Sequence, residues 1–246
     1  MTDLVGRLRA AGCVFAEEEA ALLTDAATGA ALEALVQRRI AGEPLEVVVG
    51  WALFGGLRIA IDPGVFVPRH RTEFLVQVAA ALTRPGANVL DLCCGSGALG
   101  AALLSTVPVE LYAADIDPAA VECARRNVPR VFEGDLFDPL PAVLFDVILC
   151  NTPYVPTAEL AYLPPEAREW EAPLALDGGG DGLDVQRRVA ASVGRWLVPG
   201  GAVLVEASAE QAPLSVAIFE AVGLSARVEY SEEYETSVVV ATSVEV

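Results

Sequence analysis

The sequence contains no lysine and only one histidine, and its acidic residues far outnumber its basic ones. All 16 basic residues are arginine, against 34 acidic residues, so the formal net charge is −18. Proteins that bind nucleic acid usually present a basic patch, because their affinity depends on contacts to phosphates. The composition therefore argues against a DNA or RNA partner.

Long apolar runs and targeting signals are also missing. No stretch approaches the ~18 uninterrupted apolar residues of a membrane-spanning helix, and Met1 to Arg7 lack the basic-then-apolar layout of a signal peptide. The five cysteines show neither paired nor zinc-type spacing, which is typical of a reducing compartment and of a chain without a metal site. We therefore expect a cytoplasmic protein with no membrane partner and no metal.

From residue 71 onward, helical and strand patterns alternate. The pattern predicts helices at 71–83, 98–105, 118–127, 183–197 and 209–222, and strands at 88–92, 109–114, 129–133, 144–150, 201–207, 224–230 and 236–242. Such alternation indicates an α/β fold with a mostly parallel sheet covered on both faces. The last two strands are joined only by Ser231–Glu235, so they should pair as a hairpin and place one antiparallel strand in the sheet.

The first 70 residues show a different pattern. Residues 3–41 are predicted to form two or three short helices, a cap too short for a core of its own. Leu45–Val49 and Leu57–Ile61 are predicted to form a β-hairpin around Gly55 and Gly56. We therefore predict three parts: a helical domain at 1–42, a hairpin linker at 43–70 and the main domain at 71–246.

Three strand ends of the main domain carry residues suited to a nucleoside-containing cofactor. Asp91 lies at the end of one strand and leads into a turn with Gly95 and Gly97, where the backbone can approach a ligand closely. Asp115 ends the next strand, about 20 residues on, where a carboxylate can bind ribose hydroxyls. Asp135 follows the third strand beside apolar residues that suit an adenine ring.

A fourth strand ends in the motif Asn151-Thr152-Pro153-Tyr154. The Asn151 side-chain oxygen and the Thr152 backbone carbonyl offer two acceptors for the N–H groups of a planar amide, and Tyr154 offers a flat face for stacking. Pro153 restricts the turn. The motif therefore suggests that a planar amino or amide group is held still while its nitrogen is alkylated.

Taken together, these motifs resemble class I S-adenosylmethionine-dependent methyltransferases, whose amino-group enzymes carry a similar Asn-Pro-Pro-Tyr signature. Further segments resemble the family that methylates glutamine in peptide chain release factors. These segments are Glu43-Pro44-Leu45, Phe54 to Arg58, Phe66 to Glu73, Glu171 to Leu183, and Glu206 with Gln211. The resemblance covers roughly residues 43–242.

The resemblance implies a Rossmann-like, seven-stranded fold, S-adenosylmethionine as cofactor and a release factor as partner. It assigns methyl transfer to the catalytic residues Asn151, Thr152, Pro153 and Tyr154. It assigns cofactor binding to Phe66, Pro68, Arg69, Thr72, Asp91, Cys93, Gly95, Gly97, Asp115, Ile116, Asp135, Leu136 and Asn151. His70 stands where the family has proline, and we expect it to pack rather than to catalyse.

The chain departs from the family pattern in two places. Thr152 replaces the first proline of the signature, and only about 42 residues precede the hairpin, a region that in the family docks the release factor. Two alternatives to glutamine methylation therefore stay open: N-methylation of a small amide, amine or guanidine, and cofactor binding without catalysis.

Overall fold

The computed structural model describes residues 2–244, which form ten α-helices, three short 3₁₀-helices, a pair of antiparallel strands and a seven-stranded sheet. The helices are α1 Thr2–Ala10, α2 Ala16–Ala26, α3 Gly29–Ile40, α4 Leu45–Val49, α5 Glu73–Leu82, α6 Ala98–Thr106, α7 Pro118–Ala124, α8 Pro165–Trp170, α9 Asp184–Val193 and α10 Ala212–Glu220. The strands are β1 Trp51–Phe54, β2 Leu57–Ala60, β3 Asn88–Leu92, β4 Glu110–Asp115, β5 Val131–Glu133, β6 Phe145–Cys150, β7 Leu197–Ala207, β8 Ser225–Ser231 and β9 Thr236–Thr242.

The large sheet has the order β5-β4-β3-β6-β7-β9-β8. Strands β3 to β7 run parallel to one another, whereas β9 is antiparallel to both β7 and β8. The predicted α/β fold with one antiparallel strand is therefore confirmed. Because β3, β4 and β6 run in the same direction, their carboxyl ends meet at one edge of the sheet, where such folds bind ligands.

Alternating side chains of β6 belong to two different cores. Val147 and Leu149 pack with residues of α5 and α6 on one face of the sheet. Ile148 and Cys150 pack with residues of α9 and α10 on the other. A strand buried on both faces reads as a continuous apolar run, and β6 pairs with β3 on one side and β7 on the other. Its carboxyl end is therefore held on four sides.

Two predictions for the first 70 residues are wrong. Leu45–Val49 forms the helix α4 and not a strand, and the hairpin pairs Trp51–Phe54 with Leu57–Ala60. Pro44 precedes this helix, and Gly50 ends it in the left-handed conformation, as is typical of a helix terminus. The N-terminal helices also have their own core, formed by Leu8, Cys13, Ala16, Ala20, Leu23, Val36 and Val48.

Helix α4 contributes to both parts of the molecule, since Val48 belongs to the N-terminal core and Val47 to the main core. Arg39 adds a polar link. Its Nε donates to Glu19 at 2.6 Å, and its Nη1 donates to Glu166 of α8 at 2.8 Å. The N-terminal helices are thus tied to the long segment after β6, while the domain boundaries at 42 and 70 stay predictions.

Among residues 2–244, no helix combines the length and the apolar character needed to cross a membrane.

Candidate active site

A cavity of about 630 Å³ opens at the carboxyl ends of β3, β4 and β6. Most of the residues predicted to bind cofactor or to catalyse line this one cavity. They are Phe66, Pro68, Arg69, Thr72, Cys93, Gly95, Asp115, Ile116, Asp135, Leu136, Asn151, Thr152, Pro153 and Tyr154. Two predicted residues, Asp91 and Gly97, do not line it and lie behind its wall. Residues 2–244 contain no group of three or more histidine, cysteine, aspartate or glutamate side chains arranged to hold a metal ion.

The glycine-containing turn after β3 is shaped by left-handed backbone conformations. Gly95 and Gly97 have φ of +53° and +78°, and Cys93 shares this region with φ of 57°. A Cβ added at Gly95 would meet nothing within 4 Å, whereas one at Gly97 would lie 3.1 Å from Val128. Gly95 therefore leaves its backbone open towards the cavity, and Gly97 lets the turn pack against the protein.

Asp115 fixes this turn from the end of β4. Its Oδ2 accepts a hydrogen bond from the Gly95 N–H at 2.8 Å, and its Oδ1 accepts one from the Asp117 N–H at 2.9 Å. Burial raises the pKa of Asp115, although these backbone N–H groups act in the opposite direction. The carboxyl group thus joins two strand ends at the place where a ribose was predicted to bind.

Asp91 is completely buried beneath the turn. Its Oδ2 accepts a hydrogen bond from the Gly100 N–H at 2.8 Å, while its Oδ1 is buried and has no hydrogen-bond partner among residues 2–244. Burial raises the pKa of Asp91 to about 8. Burial disfavours the charged form of this carboxyl group and favours the protonated form.

The third predicted carboxyl group has a partner that sequence reasoning missed. Asp135 forms an ion pair with Arg188 of α9, and both residues line the cavity. Arg188 lies 53 residues away in the chain, so only the fold brings the two side chains together. Next to Asp135, Leu136 adopts a left-handed conformation with φ of 49°.

The segment before α5 closes the cavity from the side of the hairpin. Arg69 donates to both carboxylate oxygens of Glu171, at 2.8 and 2.6 Å, and the Val67 N–H donates to the same group at 3.1 Å. Burial raises the pKa of Glu171, and Arg69 opposes this effect. Arg69, predicted as a cofactor residue, thus holds the long segment after β6 in place.

Asn151 follows the last residue of β6, and its side-chain oxygen has no hydrogen-bond partner among residues 2–244. Cys150 pairs in parallel register with Leu92 of β3, so Asn151 lies beside the turn that begins at Cys93. The Oδ1 atom of Asn151 and the Oγ1 atom of Thr152 are both buried without a hydrogen-bond partner in the described chain. Buried polar atoms are nearly always hydrogen-bonded, and because Asn151 and Thr152 line the cavity, these two atoms are candidates for pairing with a bound ligand.

The backbone of the motif is supported by the segment 176–182. The Gly178 N–H donates to the Val155 carbonyl at 2.8 Å, and the Val155 N–H donates to the Leu176 carbonyl at 3.1 Å. Gln211 donates through Nε2 to the Tyr154 carbonyl at 2.9 Å and to the Asp181 carbonyl at 3.1 Å. These bonds fix the course of the chain on the far side of the motif.

The Tyr154 side chain has polar neighbours outside the motif. Its hydroxyl group is hydrogen-bonded to Arg71, and the Nε of Arg71 donates to Glu206 of β7 at 3.1 Å. By contrast, the His70 side chain is 78% exposed, 3.2 Å from Glu73 and against Tyr234. Sequence reasoning did not identify Arg71 as a functional candidate.

The close packing behind the motif predicts different effects for two neighbouring glycines. A Cβ at Gly178 would lie 2.7 Å from the Pro153 carbonyl oxygen and 2.4 Å from the Gly182 carbonyl oxygen, whereas one at Gly180 would meet nothing within 4 Å. We expect Gly178→Ala to lower the free energy of unfolding by about 1–3 kcal/mol and to impair methyl transfer. Gly180→Ala should stay within about 0.5 kcal/mol of the parent protein. Urea denaturation measures both, and equal stabilities would contradict this packing.

The buried Asp91 predicts a dependence of stability on pH. Its pKa in the folded protein, about 8, is above the ordinary value of 3.8. The unfolded chain therefore releases a proton that the folded state keeps, and this group lowers stability as the pH rises from the lower value towards the higher one. We expect the free energy of unfolding of Asp91→Asn to fall less over this range. Urea denaturation of both proteins at several pH values measures the difference, and a difference that does not change with pH would contradict the assignment.

The comparisons with known proteins agree with this geometry. Residues 56–183 match the family described as MTS: Methyltransferase small domain. The chain is 40% identical over 201 residues to the release factor glutamine methyltransferase of Geobacter sulfurreducens, covering 79% of this chain and 71% of that protein. It is 37% identical over 202 residues to the 4-amino-L-phenylalanine/4-methylamino-L-phenylalanine methyltransferase of Streptomyces pristinaespiralis, covering 76% and 69%.

Among solved structures, a methyltransferase from Pyrococcus furiosus superimposes with a TM-score of 0.61 at 19% identity, covering 85% of this chain and 98% of that one. This likeness concerns the fold, whereas the sequence identities concern the family. With the cavity at the strand ends, the glycine-containing turn and the asparagine motif, they lead to one conclusion. The chain belongs to the protein N5-glutamine methyltransferase family and is an S-adenosylmethionine-dependent N-methyltransferase.

Proposed function

We propose that the protein methylates the side-chain amide nitrogen of a glutamine in a peptide chain release factor. The observation that carries this proposal is the Oδ1 atom of Asn151, which is buried at the end of β6 without a hydrogen-bond partner among residues 2–244. An acceptor placed there can receive one N–H of an amide group. The relative from Geobacter sulfurreducens, which is named for this reaction, supports the choice of substrate.

The residues around the cavity fit the cofactor. The open backbone at Gly95 would accommodate its amino-acid part beside the start of α6, and Asp115 would bind the ribose hydroxyls at the end of β4. Ile116, Leu136 and Phe66 would enclose the adenine ring. When bound, S-adenosylmethionine supplies an electrophilic methyl group, and the protein's contribution is to place the acceptor nitrogen.

An amide nitrogen is a weak nucleophile, because its lone pair is delocalised into the carbonyl group. Asn151 Oδ1 and the Thr152 backbone carbonyl would each accept one N–H, which orients the lone pair and favours positive charge that develops on nitrogen. Tyr154 would stack on the amide plane, and Pro153 would keep the turn in place. Such positioning is worth several kcal/mol of activation free energy, on the order of the effects measured for well-oriented groups.

Thr152 changes the motif without removing this acceptor, because the backbone carbonyl belongs to any residue at that position. Its hydroxyl group adds a buried polar atom that has no partner in the described chain. At this position the usual signature has a proline, which carries no hydroxyl group, so this hydroxyl is the chemical difference between the two motifs.

A second candidate is N-methylation of a small amine. The relative from Streptomyces pristinaespiralis, which is named for an aminophenylalanine substrate, is 37% identical to this chain, a value close to the 40% of the release factor enzyme. The same two acceptors can hold the N–H groups of an aromatic amine. An assay therefore has to offer both classes of acceptor.

The proposal is tested by incubating the protein with methyl-labelled S-adenosylmethionine, intact release factors and 4-aminophenylalanine. The family resemblance implies that the acceptor is the glutamine of the release factor's Gly-Gly-Gln motif. We expect label on that glutamine, located by mass spectrometry of peptides, and none on a release factor in which it is replaced by asparagine. Transfer to the amine alone would reject the release factor and favour the second candidate.

The role of Asn151 is tested in the same assay. We expect Asn151→Ala to lower the turnover number by about a hundredfold or more, because an acceptor aimed at developing charge is lost, while cofactor affinity changes much less. Asn88→Ala serves as the matched control, since Asn88 lies at the opposite end of β3 and donates to the Leu144 carbonyl. Undiminished transfer by Asn151→Ala would show that the mechanism is wrong.

A further inference from the structure

We propose that Arg71 is a positioning residue, which is held by Glu206 and in turn fixes the ring of Tyr154 at the substrate side of the cavity. This inference rests on the role proposed for Tyr154 as the surface on which the acceptor group stacks. It assigns a role to a residue outside both the cofactor turn and the asparagine motif.

The contacts form a chain of three side chains. A nitrogen of the Arg71 guanidinium donates to the Tyr154 hydroxyl group, and its Nε donates to Glu206 Oε1 at 3.1 Å. The guanidinium carbon lies 5.9 Å from the centroid of the Tyr154 ring. Arg71 is 83 residues from Tyr154 and 135 residues from Glu206 in the chain, so the arrangement exists only in the folded protein.

Glu206 is the fixed end of this chain. It lies in β7, which pairs with β6 on one side and β9 on the other, and its side chain is 3% exposed. Its second oxygen, Oε2, is buried without a hydrogen-bond partner among the residues described. A buried carboxylate without its cation is strongly destabilising. Movement of Arg71 away from Glu206 is therefore unfavourable, and Glu206 holds Arg71 in place.

Tyr154 lies at the other end of this chain of contacts, and the orientation of its ring depends on Arg71. Its backbone carbonyl is already held by Gln211 at 2.9 Å, but this bond does not restrain rotation of the ring about its side-chain torsions. The hydroxyl group is the one polar group of the side chain, and it accepts a hydrogen bond from Arg71. Because stacking requires the ring plane to match the plane of the acceptor group, loss of this contact misplaces the surface while the backbone acceptors stay in position.

A direct contact between Arg71 and the substrate is the competing explanation, since Arg71 lines the cavity and its side chain is 46% exposed. The two explanations predict different results in a double-mutant cycle. If Arg71 acts through the Tyr154 hydroxyl group, its replacement has little effect once that group is gone. If Arg71 binds substrate itself, the two effects multiply.

The cycle compares the parent protein, Arg71→Gln, Tyr154→Phe and the double variant, with whichever acceptor the parent protein methylates. We expect Arg71→Gln to lower kcat about tenfold to a hundredfold, with KM for S-adenosylmethionine within about twofold. In the Tyr154→Phe protein, replacing Arg71 by glutamine should lower kcat by less than about threefold. In the protein with Tyr154 intact, Arg71→Lys should have a higher kcat than Arg71→Gln. Independent, multiplying effects would overturn the proposal. Because the cycle uses the acceptor that the parent protein is found to methylate, its result does not depend on whether that acceptor is a release factor. A failure of this proposal can therefore be distinguished from a failure of the proposed function.

Arg84→Gln is the matched control, because Arg84 is 85% exposed and pairs with Asp146 at the amino end of β6. We expect kinetics like those of the parent protein. An equal loss in this variant would show that removal of any arginine impairs the enzyme.

A second measurement needs neither activity nor an acceptor. Burial raises the pKa of Tyr154, whereas Arg71 lowers it; Glu206 acts with burial and Arg69 acts with Arg71. In protein labelled with ¹³C at the tyrosine ζ carbon, we expect the Tyr154 resonance of Arg71→Gln to titrate at higher pH than in the parent protein. The resonances of Tyr112, Tyr162, Tyr230 and Tyr234 should be unchanged. Identical titration of Tyr154 in both proteins would overturn the contact.

Discussion

The site is organised around one polar atom that is fixed at the end of a buried strand and has no hydrogen-bond partner in the part of the chain that the structure describes. Asn151 cannot move its backbone freely, because β6 is paired on both sides and packed on both faces. Its Oδ1 atom is nevertheless buried and unsatisfied among residues 2–244. The protein keeps this cost of about 1–3 kcal/mol at the place where a substrate amide would remove it.

The rest of the site holds this atom and its neighbours in register. The residues proposed to bind the cofactor follow β3 and β4, whose carboxyl ends lie at the same edge of the sheet as that of β6, so the sheet would align the two halves of the reaction. The segment 176–182 and Gln211 support the backbone after Asn151 from behind. Arg39 and Arg69 bind an earlier part of the same long segment, at Glu166 and Glu171, and tie it to the N-terminal helices and to the approach to α5. The sheet and these hydrogen bonds thus hold in place the few side chains and carbonyl groups that are proposed to contact the substrate.

Much of this could be predicted from the sequence, because the main domain carries strong local signals. The alternation of strands and helices gave the sheet, and the short link Ser231–Glu235 gave the terminal hairpin. One of the two wrong predictions concerned Leu45–Val49, a short apolar run of a kind that does not distinguish strand from helix. The signals that decide it are Pro44 before the run and Gly50 after it. The contacts of Arg71 with Glu206 and of Asp135 with Arg188 could not be predicted, since they join distant residues through the tertiary fold.

In the proposed mechanism, Asn151 Oδ1 and the Thr152 carbonyl oxygen receive the two N–H groups of the acceptor. A crystal structure with S-adenosylhomocysteine and a peptide containing Gly-Gly-Gln measures this most directly. We expect the glutamine amide nitrogen within about 3 Å of Asn151 Oδ1 and of the Thr152 carbonyl oxygen, with the Tyr154 ring stacked on the amide plane. An amide nitrogen bound elsewhere in the cavity, with Asn151 Oδ1 paired to a protein group, would contradict it.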